Sequence, residues 1–129
     1  MPLKITLKPG EKFAINGAVI ANGDRRSSLV LQNKANILRE RDILQQDQVN
    51  SPAKRIYFPI MMMYLDNSGF DTYYEEFQAR IGEFVDAVQN PDILHSCLEI
   101  NRFVVNRDYY TALKECRKLM DYEAKLIET

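Results

Sequence analysis

LKITLKPGEKFAINGAVIANG, residues 3–23, decides how the N-terminal part of this chain folds. Leu3, Ile5 and Leu7 alternate with Lys4, Thr6 and Lys8, the two-residue period of a strand with one apolar and one basic face. Pro9-Gly10 ends the run, Pro by fixing φ and Gly by admitting positive φ. Phe13-Ala14-Ile15 and Ala18-Val19-Ile20 flank Asn16-Gly17, a pair that tolerates the positive φ angles of a type I′ turn and so predicts a hairpin. A second Asn-Gly, Asn22-Gly23, closes the stretch. Further on, Ser28-Leu29-Val30-Leu31 and Ala35-Asn36-Ile37-Leu38 read as two more short strands around Asn33-Lys34. Five short strands predict a small antiparallel β barrel or sandwich. A module of this size is near the lower limit of independent stability, so helices or a second copy of itself must cover its apolar face.

The pattern changes to helix after residue 50. Ser51-Pro52 is a helix start, a hydroxyl N-cap followed by Pro in the first helical position. Ala53, Ile56, Tyr57, Ile60, Met61, Tyr64 and Leu65 recur at helical spacing, with Pro59 inside the run to kink or split it. Met61-Met62-Met63 suits core filling or an adaptable partner surface. After a turn at Asn67-Ser68-Gly69, a long helix is predicted over 71–89, with Tyr74, Phe77, Ile81, Phe84, Val85 and Val88 in one stripe. Asn90-Pro91 starts a third helix bearing Leu94, Cys97, Leu98, Asn101, Val104 and Val105. Residues 106–108 break it, and the fourth carries Tyr109, Ala112, Leu113, Cys116, Leu119 and Met120. Short connections favour antiparallel neighbours, hence a small bundle. The expected fold is α+β, with a β module over residues 1–50 and a helical bundle over 51–129.

Charge follows the same division. Residues 1–58 carry ten Lys/Arg against five Asp/Glu, a net of +5, whereas residues 59–129 carry seven against thirteen, a net of −6. The overall charge of −1 hides this asymmetry, which points to an anionic partner such as nucleic acid or a membrane surface. The chain has 129 residues, 46% of them hydrophobic and 27% charged, enough for one ordinary core. It has no apolar run long enough to span a membrane and no signal-peptide pattern at its start, so a cytoplasmic location without membrane association is expected. Cys97 and Cys116 fall in helical patterns and are expected reduced and buried.

Signals of catalysis are poor. His95 is the only histidine, two residues from Cys97 and off its helical face, so no zinc site of the usual composition can be built. No Gly-rich phosphate loop or nucleophile elbow is present. No enzyme activity, metal or cofactor is expected. The binding signal is stronger. Basic side chains punctuate the strands and turns of the first 58 residues, and Arg25-Arg26 lies just past a turn, where side chains project. Arg39 and Arg41 extend this into a phosphate-facing strip, for which the guanidinium fork is suited. The competing reading of Arg39-Glu40-Arg41-Asp42 is a solvated segment with local ion pairs. Only Phe13, Tyr57 and Phe58 are available in this half for stacking on bases, so backbone and base-edge contacts are the better physical model.

Several blocks carry a resemblance to the FlbT family. They are Leu3 through Glu11, Ile15 through Arg26, Leu38-Arg39-Glu40-Arg41-Asp42-Ile43, Arg55-Ile56-Tyr57-Phe58 and Asp108-Tyr109-Tyr110-Thr111-Ala112-Leu113, in order over nearly the whole chain. The resemblance implies a bacterial regulator of flagellum biogenesis that acts after transcription. It would associate with the 5′ untranslated leader of flagellin mRNA and control its translation and stability, often as a repressor. FlaF is the family's functional counterpart. Over residues 1–43 the order of strand, Gly10-Glu11, short strands and an Arg-bearing segment ending in Ile43 is also similar to the CsrA type of RNA-binding module. That likeness implies a homodimer whose first strand and last-strand arginines meet RNA, although Leu7-Lys8 replaces the Arg-Arg pair usual at the end of the first strand.

The candidate RNA-binding residues are therefore Lys4, Thr6, Lys8, Arg25, Arg26, Arg39, Arg41 and Arg55. The acidic bundle would dimerise the protein, dock a partner, or keep that face off RNA. The alternative is a protein-binding module that holds flagellin or FlaF and acts on the message indirectly.

Overall fold

The computed structural model describes residues 3–128. The chain is α+β and divides into two compact units, one ending at Ile43 and one beginning at Leu44.

The first unit has five strands: β1 (Leu3–Leu7), β2 (Lys12–Ile15), β3 (Ala18–Ala21), β4 (Ser27–Leu31) and β5 (Ile37–Arg39). They form two antiparallel sheets, β1-β4 and β3-β2-β5, which do not join into a closed barrel. The hairpin at Asn16-Gly17 is present, with φ of 49° and 89° at the two central residues. Lys8-Pro9-Gly10-Glu11 is a tight turn closed by the Glu11 amide on the Lys8 carbonyl at 3.1 Å, with Gly10 at φ 71°. Pro at the second position and positive φ at the third are the type II pattern.

The strands around Asn33-Lys34 do not pair with each other; β4 pairs with β1 and β5 with β2. Apolar register explains this choice. Leu31 lies opposite Leu3 and Leu29 opposite Ile5, while Ile37 lies opposite Ile15 and Leu38 opposite Ala14. Each pairing aligns like side chains on one face. Ile5, Leu7 and Phe13 form the buried centre, with Ile15, Leu31 and Ile37 packed against it.

The second unit consists of α1 (Pro52–Leu65), α2 (Phe70–Ala87), α3 (Pro91–Val105) and α4 (Tyr109–Glu128). Helix α1 packs on α2 and α4, and α3 packs chiefly on α4. Flanked on two sides, α1 buries Ala53, Ile56, Tyr57, Pro59, Ile60, Met61 and Met63, so the methionine run fills core. Pro59 does not split the helix, which runs unbroken through it. Its missing N–H leaves the Arg55 carbonyl without the usual donor.

Ser51 caps α1 as expected, its Oγ accepting the Lys54 amide at 3.3 Å. Glu123 of α4 completes the cap, accepting the Ser51 hydroxyl at 2.6 Å and the Ala53 amide at 2.8 Å. A carboxylate at a helix N-terminus also meets the positive end of the dipole. Helix α3 is less buried than its pattern suggests. Cys97, Ile100 and Val104 are buried, but Leu98 and Val105 are exposed. With one main neighbour, α3 needs only the narrow stripe formed by those three residues.

Candidate nucleic-acid interface

The turn after β1, the β3–β4 loop and the end of β5 converge on an open cleft of about 600 Å³. Thr6, Lys8, Pro9, Gly10, Glu11, Arg26, Arg39, Glu40 and Arg41 line it. Four of these side chains are cationic and two are carboxylates, which leaves the cleft net positive.

Arg39 holds the cleft together. It lies opposite Phe13 on β5, and its Nη2 donates to the Thr6 carbonyl of β1 at 2.7 Å and to Glu11 Oε2 at 3.1 Å. One side chain thus bridges the two sheets. Glu11 Oε1 accepts the Lys8 amide at 2.9 Å. That backbone bond, and then the Arg39 guanidinium, hold the Glu11 carboxyl below its ordinary range. Glu40 accepts the Lys12 amide at 2.8 Å, which fixes the 3-10 turn of residues 40–42 on β2. Arg41 projects from that turn, with only a 3.9 Å approach to Asp42.

Asn22 fixes the other wall. Its side-chain amide donates to the Lys8 carbonyl at 2.8 Å and to the Arg25 carbonyl at 2.9 Å, and more weakly to that of Leu7. Gly10 donates its amide to the Gly23 carbonyl at 2.8 Å, so the β3–β4 loop is tied to the turn after β1. Arg25 and Arg26 therefore extend from an anchored loop.

The structure brings Thr6, Lys8, Arg26, Arg39 and Arg41 into one cleft. Lys4 stands on β1 opposite Val30, exposed and outside it. Arg25 is exposed beside Arg26 but does not line the cleft. Arg55 belongs to the second unit, where it borders a groove with Phe84, Val88, Tyr122 and Leu126. Among the described residues, no side-chain partner engages Lys4, Arg25, Arg26 or Arg55. The two carboxylates were not legible in the sequence as parts of the site. Glu11 meets Arg39, and Glu40 meets Lys12, across 28 residues each.

The remaining reactive groups lie elsewhere. His95 is exposed on α3. Burial pushes the Cys97 thiol up to about 11, and that of Cys116 upward as well, so both stay protonated and poorly nucleophilic. Among the described residues, no group of three or more His, Cys, Asp or Glu is placed to hold a metal ion. No described helix is long and apolar enough to cross a membrane. Of the aromatics in the basic half, Phe13 and Tyr57 are buried and Phe58 is half-buried.

The family model described as "Flagellar protein FlbT" matches residues 3–127. A flagellum biosynthesis repressor protein FlbT of Caulobacter vibrioides is 59% identical over 123 residues, covering 95% of this chain and 87% of that protein. A probable flagellum biosynthesis repressor protein FlbT of Rhodopseudomonas palustris is 36% identical over 127 residues, covering 98% of each chain. One of the same description from Mesorhizobium japonicum is 34% identical over 125 residues, covering 97% of this chain and 84% of that protein. No solved structure matches. With nearly every described residue inside the family match, the chain belongs to the FlbT family of flagellar proteins.

Proposed function

We propose that this protein is a repressor-type regulator of flagellum biogenesis that binds the 5′ untranslated leader of flagellin mRNA and controls its translation and stability. The observation that carries this reading is the net-positive cleft in which Lys8, Arg26, Arg39 and Arg41 converge. The names of the relatives, repressors of flagellum biosynthesis, support the regulatory part. Burial of Phe13 and Tyr57 favours phosphate and base-edge contacts over stacking. Arg26 and Arg41 would supply the phosphate contacts. Arg39, committed to Thr6 and Glu11, would mainly shape the site.

A gel shift with the purified chain and a flagellin leader transcript tests this reading. Reversing Arg26 and Arg41 to Glu together is expected to weaken binding at least tenfold, equivalent to about 1.4 kcal/mol. Unchanged affinity in that variant, or no shift by the wild type at low salt, overturns it. The labelled leader is expected to remain intact during incubation with the protein alone.

A second reading draws on the apolar groove of the helical unit, lined by Pro52, Phe84, Val88, Tyr122 and Leu126 with Arg55 and Arg80 at its border. Such a groove suits a helical segment of flagellin or FlaF, with the message affected indirectly. Co-elution of purified flagellin or FlaF with this chain, together with no shift of the leader, would favour that alternative.

A further inference from the structure

The helical unit has a cavity of its own, of about 450 Å³, lined in part by Gln46, Arg55, Phe58, Pro59, Tyr73 and Arg80. That volume falls within the ~300–1,000 Å³ of small-molecule sites. All of its lining residues belong to the second unit, whereas those of the basic cleft belong to the first.

Two cations meet one carboxylate, Glu76, around this cavity, which leaves it net positive. Arg55 is exposed, and among the described residues no side-chain partner engages it. Arg80 donates from Nε to Glu76 at 2.7 Å and from Nη1 to Glu83 at 3.3 Å. These bonds orient its guanidinium and leave Nη2 without a partner among the described residues. Two half-buried rings, Phe58 and Tyr73, also line the cavity. A Cβ at Gly69 would stand 2.6 Å from Tyr73 Cε2, so the Tyr73 ring occupies a place that only glycine leaves open. Pro59 supplies the last feature. It has no N–H for the Arg55 carbonyl, and that carbonyl lies between two residues of the lining. A proline inside a helix costs stability. Here it also opens a hydrogen-bond acceptor beside two guanidinium groups and two rings.

We infer that this cavity binds a nucleoside monophosphate unit whose base carries an exocyclic amine. Arg55 and Arg80 hold the phosphate, for which the guanidinium fork is suited. Phe58 and Tyr73 cover the base, since every base has a face that packs on an aromatic ring. The Arg55 carbonyl accepts from the amine, and the Gln46 side-chain amide serves the remaining base edge. A planar heterocycle joined to a phosphate uses the cations, the rings and the open carbonyl together. An aliphatic carboxylate would meet the cations and leave the carbonyl unsatisfied, and uracil has no amine to offer it.

Equilibrium dialysis of the full chain at low salt against AMP, CMP, GMP and UMP tests the site. The tightest of the three amine-bearing nucleotides is expected to bind at least about fivefold better than UMP. Arg55→Gln is expected to weaken that nucleotide about tenfold. Pro59→Ala returns an N–H to the Arg55 carbonyl and is expected to bring the preference over UMP close to one, with the helical circular dichroism retained. Should that variant fail to fold, dimethylation of the exocyclic amine on the nucleotide makes the same test on the wild type, with the same loss expected. Arg26→Glu combined with Arg41→Glu, in the other unit, is expected to leave nucleotide binding unchanged, so failure of the leader reading and failure of this one are distinguishable. Saturation by a mononucleotide alone identifies a free nucleotide as the occupant. Binding of a short single-stranded RNA without binding of mononucleotides, weakened by Arg55→Gln and not by the double substitution, identifies an unpaired nucleotide of RNA. Binding of neither, equal affinity for all four mononucleotides, full affinity in Arg55→Gln, or a preference that survives both Pro59→Ala and dimethylation would each overturn the proposal.

Discussion

The helical unit and the β unit reach order by different means. Among the described residues the helical unit buries seventeen apolar side chains, from Ala53 to Leu119 and including Pro59, and the β unit five. In the bundle the long-range polar bonds supplement that core, Glu123 by capping α1 and Gln78 by donating to Asn101 between α2 and α3. In the β unit they join the two sheets, through Arg39 on Thr6 and Asn22 on Lys8. The contrast shows how a small unit can hold a defined cleft with little hydrophobic core. Its shape rests on hydrogen bonds, which also decide which cations face outward and which are held.

Disrupting the bundle should have the largest effect. Phe77→Ala empties a fully buried site on α2 and is expected to cost about 3–5 kcal/mol, read by chemical denaturation. Glu123→Ala removes the acceptor of the Ser51 hydroxyl and the Ala53 amide, and is expected to cost about 1–2 kcal/mol. Asn22→Ala tests the β unit. A loss of about 1 kcal/mol is expected, with faster amide exchange in β3 and β4, whereas the core of the bundle should keep its protection.

The smallest effect concerns Glu11 and carries a definite sign. Its carboxyl titrates below the ordinary 4.5 because the Lys8 amide and Arg39 favour the charged form. Its contribution is thus complete above that value and is lost as pH falls through the depressed one. Thermal melts of the wild type and Glu11→Gln should differ most near neutral pH and converge in acid.

Much of this architecture was legible because it is local. Ser51-Pro52 and Asn90-Pro91 mark helix starts through their own side chains, and Asn16-Gly17 marks its turn through backbone tolerance. The separation into two sheets was less legible, since β1 pairs with β4 across an intervening hairpin. The candidate cations could be named from the sequence but not sorted. Arg39 is engaged and Arg26 is not, a difference set by Glu11 and the Thr6 carbonyl, which become neighbours only in the fold. On α3, Leu98 and Val105 fit a helical stripe as well as Cys97 and Val104 do. Which pair is buried depends on how many helices surround α3.

All five strands and the whole cleft lie within the first 43 residues. During translation they are therefore made before any helix of the bundle. At ~5–20 residues per second, on the order of ten seconds separates the synthesis of Ile43 from that of Glu128 in α4. For that interval β3 and β4, with Val19, Ile20, Leu29 and Val30 exposed, belong to a nascent chain. The exposed strands of the β unit therefore meet water before any helix of the bundle is made.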